Sequence, residues 1–388
     1  MNAFGFGSSL RSCARVACAF FACALFASTI ARAQAPVLAP TVDTFLVVPS
    51  GPLHYSSIHV PAGVTLGFVA PGGFVSPQPD MPAVVICDGD VIVHGTISMM
   101  GDAFTGYGAG YVTLGVGSSG YYCGSTQVAP PTGGRHANWY GAAVPFSLAG
   151  GSPGGGYTYW DQSCSQWVGG SSGGRGAGTL VLLAGGHIEV HGQIRADGRG
   201  GDGGGSGGSI LLRGDAGVAV MPGGSVTARG GAGGTVFPPY PYTYGDGEPG
   251  FIRLDSWGVP PMIAGAVDPQ PTTLELPYLH AAAPPTRGTT WTLHVYAPEL
   301  SWVFVAASLA PASGSPMTPF GPLGLDLVGM AGVVTLSVPL PSHDPSASVL
   351  WPIPSTFALY GLGVWVQALV VPPGLPARLS NTLAAVVQ

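Results

Sequence analysis

The sequence contains no lysine and few charged residues of any kind. All 12 basic residues are arginines, and charged residues make up 8% of the 388 positions, against about 25% in ordinary soluble proteins. The absence of lysine excludes a Walker-type phosphate lysine, a Schiff-base lysine and a polybasic surface for nucleic acids. The scarcity of glutamate, together with 64 Gly and 38 Pro, excludes a mainly helical fold.

Apolar residues are abundant, at 46% of the chain, with a mean hydropathy of +0.39. A chain with this much surface to bury is not disordered along its length. Its length suits two domains at about 150 residues each.

Residues 1–33 have the pattern of a secretory signal peptide. Two arginines precede an apolar run over 16–30, and Ala31-Arg32-Ala33 forms an A-x-A cleavage site. The run is shorter than the roughly 20 apolar residues of a membrane anchor, and bulky neighbours disfavour lipid attachment at Cys23. The sequence therefore predicts export with cleavage before Gln34 and no membrane span in the mature chain.

Cleavage would leave an acidic chain with three cysteines. Nine arginines then face 18 acidic residues, a net charge of −9, which argues against nucleic acid and anionic membranes as partners. Export permits a disulfide. Cys123 and Cys164 share one Gly- and aromatic-rich stretch and are the candidate pair, with Cys87 buried and free, although three cysteines allow three pairings.

Four segments share one strand-turn-strand pattern. Each has two alternating β-branched residues, a turn with glycine and a further apolar residue, at 58–64, 91–97, 188–194 and 218–226. Alternation of this kind indicates a strand with one buried face. Short strands that return about every 30 residues are typical of a solenoid.

The pattern predicts an all-β fold, with a right-handed parallel β-helix over 34–256 whose turn glycines permit tight corners at positive φ. The alternative is an antiparallel sandwich or meander with similar hairpins. The two differ in whether Val60, Val93, Val190 and Val220 stack in one row.

The repeat lapses over 101–178, which holds either more coils or an insertion, and we expect an aromatic-rich insertion. Aromatic rings exposed on a rigid scaffold can stack on sugar rings, and the candidate glycan contacts are Trp139, Tyr140, Tyr159 and Trp160. The alternative is that such rings cover the solenoid and supply packing that glycine cannot.

Glycine is densest over 198–208. The spacing there lacks the regularity of a calcium-binding Gly-Asp array and the strict period of a collagen-like helix. We therefore expect long flexible or loosely packed loops at the edge of the solenoid.

His94 and His191 occupy matching positions before a turn glycine, so stacked coils would bring them together. With His187, four residues from His191, they suggest a metal site. Against it, an extended strand holds His187 and His191 about 13 Å apart, and a turn is an ordinary place for a polar residue.

Two close acid pairs lie near repeated strands, Asp88 with Asp90 and Asp197 with Asp202. A two-carboxylate glycoside hydrolase needs its acids about 5 to 9.5 Å apart, and solvated turn residues explain these pairs equally well. The sequence assigns no catalytic, metal-binding or cofactor-binding residue.

The Pro-rich stretch 257–286 predicts a linker, because proline stiffens a connector and forbids helix. Alternating apolar runs then recur over 287–388. Short strands at this spacing over about 100 residues fit a small β-sandwich.

The series Gly89-Asp-Val-Ile-Val-His-Gly-Thr-Ile-Ser, then Gly208-Ser-Ile-Leu-Leu and Gly250-Phe-Ile-Arg-Leu-Asp255, resembles Gly-rich exported proteins of planctomycetes, myxobacteria and related bacteria. The resemblance covers about residues 45–256 and implies a β-helical surface or secreted protein. The general form also resembles pectin-lyase-like β-helices, without the paired-Asp and Arg-Ile-Lys signatures of the polygalacturonase branch. The closing sequence resembles a C-terminal domain that recurs in exported planctomycete-type proteins.

The sequence thus predicts an exported structural protein of the cell surface or extracellular matrix, an adhesin-like scaffold that faces glycans or neighbouring surface proteins. The alternative is a polysaccharide-binding module or a carbohydrate-active lyase or hydrolase on the same scaffold. No cofactor is expected.

Overall fold

The computed structural model describes residues 35–49, 51–69, 82–100, 151–153, 173–234, 245–281, 283–298, 301–314, 316–326 and 346–388, and the strand backbone of 120–123, 126–129, 157–161, 166–169 and 330–337. In this part of the chain the regular structure is β-strand, apart from one 3₁₀ turn at Phe357–Leu359. Pro36–Gln388 forms one compact unit. The described residues include no helix long and apolar enough to cross a membrane. The predicted signal peptide lies outside them.

Three six-stranded parallel sheets run through the first part of the chain, and the chain steps from one sheet to the next in order. Each turn around the three sheets is one coil, and we name the sheets A, B and C in the order in which a coil passes through them. The coils contain, in turn, β1 (Val37–Leu38), β2 (Thr44–Val47) and β3 (Leu53–Tyr55); β4 (Ser57–Val60), β5 (Thr65–Val69) and β6 (Ala83–Cys87); β7 (Val91–Val93), β8 (Thr96–Ser98) and, after an insertion, β13 (Thr179–Ala184); β14 (His187–Val190), β15 (Gln193–Arg195) and β16 (Ser209–Gly214); β17 (Gly217–Val220), β18 (Ser225–Thr227) and β19 (Phe251–Trp257); and β20 (Met262–Ile263), β21 (Ala266–Asp268) and β22 (Thr272–Leu276).

The valines that distinguish a solenoid from a meander stack in one row. Val60 pairs with Val93, Val93 with Val190, and Val190 with Val220, all in parallel register. Each of these four side chains is fully buried. The apolar half of each alternating strand therefore faces one continuous interior, and the parallel β-solenoid predicted from the sequence is confirmed.

The long interval in the repeat is an insertion between β8 and β13. Its described strands are β9 (Gly120–Cys123), β10 (Thr126–Ala129), β11 (Tyr157–Asp161) and β12 (Gln166–Gly169). They form a separate four-stranded sheet in the order β10-β9-β11-β12. Because β8 and β13 belong to the same coil, the inserted strands add no coil to the solenoid.

Glycine serves two different needs at the corner between sheets A and B. Gly63 and Gly223 have φ of 77° and 86°, the left-handed conformation that the sequence argument expected of turn glycines. Gly95 and Gly192 are needed for a different reason, which is the lack of space for a side chain. A Cβ on either would stand closer than 3.0 Å to a carbonyl oxygen of the preceding coil's corner, so close stacking of the corners requires glycine there.

The Gly-rich segments form a hydrogen-bonded bundle beside the solenoid, which corrects the expectation of flexible or loosely packed loops. We call this the glycine bundle, and its segments are 173–178, 198–208, 228–234 and 245–250. Main-chain hydrogen bonds join the segments, including Gly174 N to Gly203 O at 2.7 Å and Gly231 N to Gly205 O at 2.7 Å. Residues 203–208 are buried.

The bundle is possible because its residues have no side chains. A Cβ on Gly205 or Gly208 would stand closer than 3.0 Å to main-chain atoms of the neighbouring segment. Backbone polar groups must be paired when they are buried, and here the neighbouring backbones pair them directly. A glycine-rich stretch therefore becomes a packed layer instead of a mobile edge.

The Pro-rich stretch 257–286 is not a linker, which corrects the second expectation. It supplies β20, β21 and β22, the last strand of each solenoid sheet, and Tyr278–Ala281, the first strand of the next module. The prolines of this stretch all lie outside these short strands, in the segments that connect them, so no strand pairing is lost. The solenoid therefore runs directly into the second module.

The second module contains a three-stranded sheet, a larger antiparallel sheet and a two-stranded hairpin. The strands are β23 (Tyr278–Ala281), β24 (Thr290–Tyr296), β25 (Trp302–Ser308), β26 (Met317–Thr318), β27 (Gly321–Pro322), β28 (Met330–Ser337), β29 (Ser346–Pro352), β30 (Gly363–Val371), β31 (Arg378–Leu379) and β32 (Leu383–Val386). We name the three-stranded sheet D, with strand order β23-β24-β29, and the larger sheet E, with order β28-β25-β30-β31 and with β32 beside β30. Alternate residues of both sheets share one core, as in the β-sandwich predicted from the sequence.

A buried ion cluster lies where sheet C meets this sandwich. Arg253 forms a two-point hydrogen-bonded pair with Asp255, and its guanidinium lies 4.4 Å from the centroid of the Tyr296 ring. Arg213, 2% exposed, donates from Nη1 to Ala297 O at 3.3 Å. Burial lowers the pKa of Arg213, and burial raises the pKa of nearby Asp215 against the opposing attraction of Arg213. Side chains of both modules thus share one buried contact.

Candidate functional site

The outer faces of sheets A and B are the accessible sides of the solenoid. Strands β13 and β16 of sheet C are buried at every position. In contrast, β14 and β15 alternate between buried inward residues and exposed or half-buried outward ones. In the middle coils, the side chains that can meet a ligand are therefore those that point outward from sheets A and B.

Three histidines meet at the corner between sheets A and B, as their matching positions predicted for two of them. The His94 and His191 rings stack with centroids 4.6 Å apart and an angle of 25° between planes. His59 on β4 meets His94 edge to face at 5.6 Å. His191 Nε2 also lies 3.2 Å from Glu189 Oε2. The stacked coils therefore produce an imidazole stack, which we define as His59, His94 and His191.

The stack is not arranged around a single ion. When two imidazoles bind one zinc ion, each places a ring nitrogen about 2.0–2.1 Å from the metal, and the lone pair of that nitrogen points at the metal. The nearly parallel planes of His94 and His191 direct their lone pairs side by side instead. His187 lies at the other end of β14, next to Gly217. Among the described residues, no group of three or more His, Cys, Asp or Glu side chains could hold a metal ion.

Asp90 joins two coils through a main-chain contact. Its Oδ1 accepts a hydrogen bond of 2.8 Å from the His187 main-chain N in the next coil. Asp88 lies in the turn after β6, where its main-chain N donates to Tyr55 O. Asp90, which the sequence offered with Asp88 as a candidate acid pair, therefore links neighbouring coils through its carboxylate.

Asp197 is the centre of a second set of contacts, on the rim of sheet B. Its Oδ2 accepts from Arg195 Nε at 3.1 Å and from Thr227 Oγ1 at 2.9 Å, and its Oδ1 accepts from Arg229 N at 2.9 Å. Arg229 Nε in turn donates to Asp268 Oδ2 at 2.6 Å. These residues form a ladder of charge across three successive coils, which we call the Arg–Asp ladder: Arg195, Asp197, Arg229 and Asp268.

Asp202, the other member of the second acid pair, lies in the glycine bundle. Its main-chain O accepts from Gly234 N at 3.0 Å, whereas Asp197 contacts the strand ends of sheet B. The two aspartates thus belong to different layers of the solenoid edge.

A repeated R-x-D pattern is the signal that the sequence analysis missed. It occurs at Arg195–Asp197, Arg213–Asp215 and Arg253–Asp255. Residues two apart on a strand lie on the same face, so each arginine can reach its own aspartate. The pattern on β19 is buried against the sandwich, and the one at the end of β15 is on the accessible side.

Sheet D carries a further polar row that sequence reasoning did not find. His280, His294 and Ser348 lie opposite one another on β23, β24 and β29. The distance from Ser348 Oγ to His294 Nδ1 is 3.3 Å. Burial lowers the pKa of His280, and the neighbouring His294 lowers it further.

Cys87 is buried and unpaired, as expected. Its Sγ donates to Asp90 O at 3.4 Å, and burial raises the pKa of the thiol. For the candidate disulfide, Cys164 and the Cys123 side chain lie outside the described residues. The same holds for Trp139 and Tyr140 and for the side chains of Tyr159 and Trp160.

The chain matches no family model, no curated protein and no solved structure. The resemblance to exported Gly-rich proteins therefore stays a prediction.

Proposed function

We propose that the protein is an exported structural protein that acts as a rigid scaffold at the cell surface or in the extracellular matrix. The observation that carries this proposal is the stack of six coils that the described residues form and that passes directly into the sandwich. A solenoid of this kind stacks each coil on its neighbours and presents extended lateral surfaces. Export is the expectation from the signal-peptide pattern over residues 1–33.

The side-chain chemistry supports a mechanical role. Asp90 and Asp197 each accept a main-chain N–H of the next coil, so these carboxylates resist separation of the coils. The glycine bundle adds main-chain hydrogen bonds between successive Gly-rich segments. The ion cluster around Arg253 joins the solenoid to the sandwich.

Cell fractionation with N-terminal sequencing tests the proposal. We expect the protein in the surface or extracellular fraction of its own organism, with Gln34 as its first residue. Replacing the small residue at the predicted cleavage site, Ala33→Tyr, should leave the leader attached, while Ala35→Tyr beyond the site serves as the control. An intact N-terminus in the cytoplasmic fraction would overturn the proposal.

A further inference from the structure

One row on the outer face crosses the whole of sheet B, with its members exposed or half-buried except for Gly67 and Thr227, which are buried. Parallel pairing joins Phe45 to Gly67, Gly67 to Ser98, Ser98 to Arg195, Arg195 to Thr227 and Thr227 to Asp268. We call this row the sheet B stripe. Parallel strands lie about 4.8 Å apart, so its five steps span about 24 Å, long enough for several pyranose rings in line.

An exposed aromatic ring lies at one end of the stripe. The position that a Cβ on Gly67 would occupy is beside the Cδ1–Cε1 edge of the Phe45 ring, 2.6 Å from Cε1 and 3.4 Å from Cγ, so the ring packs against the glycine. Phe45 is nevertheless 45% exposed. An accessible aromatic ring presents a surface on which the C–H face of a sugar can stack.

Polar groups continue from this ring along the sheet. A second outward row lies beside the stripe, and its registered members are Thr65, Thr96, Gln193 and Ser225. Hydroxyl and amide groups both donate and accept hydrogen bonds, as sugar hydroxyls require. Gln193 is exposed, and the others in this row are half-buried.

The charges of the Arg–Asp ladder cancel. The Arg–Asp ladder contains two arginines and two aspartates in hydrogen-bonded pairs. The chain as a whole is acidic, with 12 basic against 18 acidic residues, so it repels acidic polymers at long range. Exposed Asp43, two residues before Phe45, adds a carboxylate at this face, where its Oδ1 accepts from Thr65 N at 2.7 Å. An uncharged polymer is therefore favoured over an acidic one.

We infer that the sheet B stripe binds a neutral polysaccharide laid along the solenoid axis, with one sugar stacked on Phe45. This inference names a partner for the proposed scaffold and so depends on the protein's export. It places the glycan contact on the solenoid itself and not in the aromatic insertion.

Binding is tested with the mature chain, residues 34–388. Insoluble cellulose, xylan, mannan and β-1,3-glucan are the neutral probes for co-sedimentation, and polygalacturonate and alginate are the acidic probes for affinity electrophoresis. We expect retention by at least one neutral glycan and by neither acidic one.

The variants separate the stripe from other surfaces. Phe45→Ala removes the ring, and Gly67→Ala displaces it, and each should weaken binding about tenfold. Gln193→Ala removes one exposed hydrogen-bonding side chain and should weaken binding about fivefold. Trp302→Ala is the matched control, because Trp302 is an aromatic residue of the sandwich with 54% exposure.

Three results would overturn the inference: retention by none of the neutral glycans, retention that Phe45→Ala and Gln193→Ala leave unchanged, or retention by acidic glycans alone. Loss of binding in Trp139→Ala or Trp160→Ala, with Phe45→Ala unaffected, assigns the contact to the insertion and also overturns it. If the protein is at the cell surface but fails these binding tests, the inference is wrong and the scaffold proposal stands. If the protein is cytoplasmic, the scaffold proposal itself is wrong.

Discussion

Arg253 donates from Nε and Nη2 to the two carboxylate oxygens of Asp255, its neighbour two residues along β19. Both side chains are at most 1% exposed. Removing one partner of a buried pair leaves the other charge in an apolar setting. We therefore expect Asp255→Ala to lower the free energy of unfolding by about 3–5 kcal/mol, as measured by denaturant unfolding followed by tryptophan fluorescence.

The matched control is the exposed pair between Arg229 and Asp268, whose side chains are 59% and 53% exposed. Water screens this pair, so Arg229→Ala should lower the free energy of unfolding by about 1 kcal/mol or less. Equal losses in the two variants would show that the buried pair does not join the solenoid to the sandwich as described.

The glycine bundle predicts a sharp intolerance of side chains. A Cβ on Gly205 would meet main-chain atoms of Arg175 and Gly176, which cannot move aside as a flexible side chain can. Gly205→Ala should lower the free energy of unfolding by about 1–3 kcal/mol. Gly51→Ala is the control, because a Cβ there has no neighbour within 4 Å. If the Gly205→Ala protein is as stable as the control, the glycine bundle is not tightly packed, and the sequence-based prediction of loosely packed loops is correct.

The solenoid was predictable because its signal is local. Alternating β-branched residues such as Ile58 and Val60 specify a one-sided strand, and their return at a constant interval specifies the stack. The continuous apolar run at 180–183 also carries information. A strand without alternation is buried on both faces, and Leu180 and Val181 are both fully buried.

The glycine bundle and the last coil were not predictable in the same way. Glycine has no side chain, so the packing of Gly205 depends on a backbone that approaches from another coil and leaves no pattern in the nearby sequence. Proline usually argues against a strand, yet the prolines of 257–286 lie between β20, β21 and β22, and strands of two to five residues fit between them. The Phe45 ring likewise depends on Gly67, a partner that only the pairing register identifies.

Thiol reactivity tests the assignment of Cys87. A buried thiol with a raised pKa reacts slowly, because the thiolate is the nucleophile. If Cys123 and Cys164 form the predicted disulfide, the mature oxidised chain should show no reactive thiol when folded and one when unfolded in denaturant. Cys87→Ala should abolish that single thiol. Three thiols in the unfolded chain would contradict the disulfide, and a fast-reacting Cys87 in the folded chain would contradict its burial.

The lowered pKa of His280 predicts that the folded protein loses stability in mild acid. Burial and His294 hold the pKa of His280 below the usual imidazole value, which is about 6.5. As the pH falls below that value, the unfolded chain takes up the proton before the folded chain does. The free energy of unfolding should therefore decrease from about pH 6.5 down to the folded-state pKa of His280. His280→Gln should flatten the pH dependence, measured as the denaturation midpoint at each pH, while His59→Gln at the exposed corner should retain it. An unchanged slope in His280→Gln would contradict this assignment.

Substitutions of Asp197 distinguish a structural role of this residue from a catalytic one. Its carboxylate accepts from Arg195, Thr227 and the Arg229 main chain, and its side chain is 13% exposed. Loss of a charged acceptor that leaves such donors unpaired costs about 1–3 kcal/mol, so Asp197→Ala should lower the free energy of unfolding by that amount. Asp197→Asn keeps one carbonyl acceptor and should cost less. If either variant instead keeps full stability and abolishes cleavage of a polysaccharide by the wild-type chain, Asp197 is a catalytic acid and the carbohydrate-active alternative replaces the scaffold.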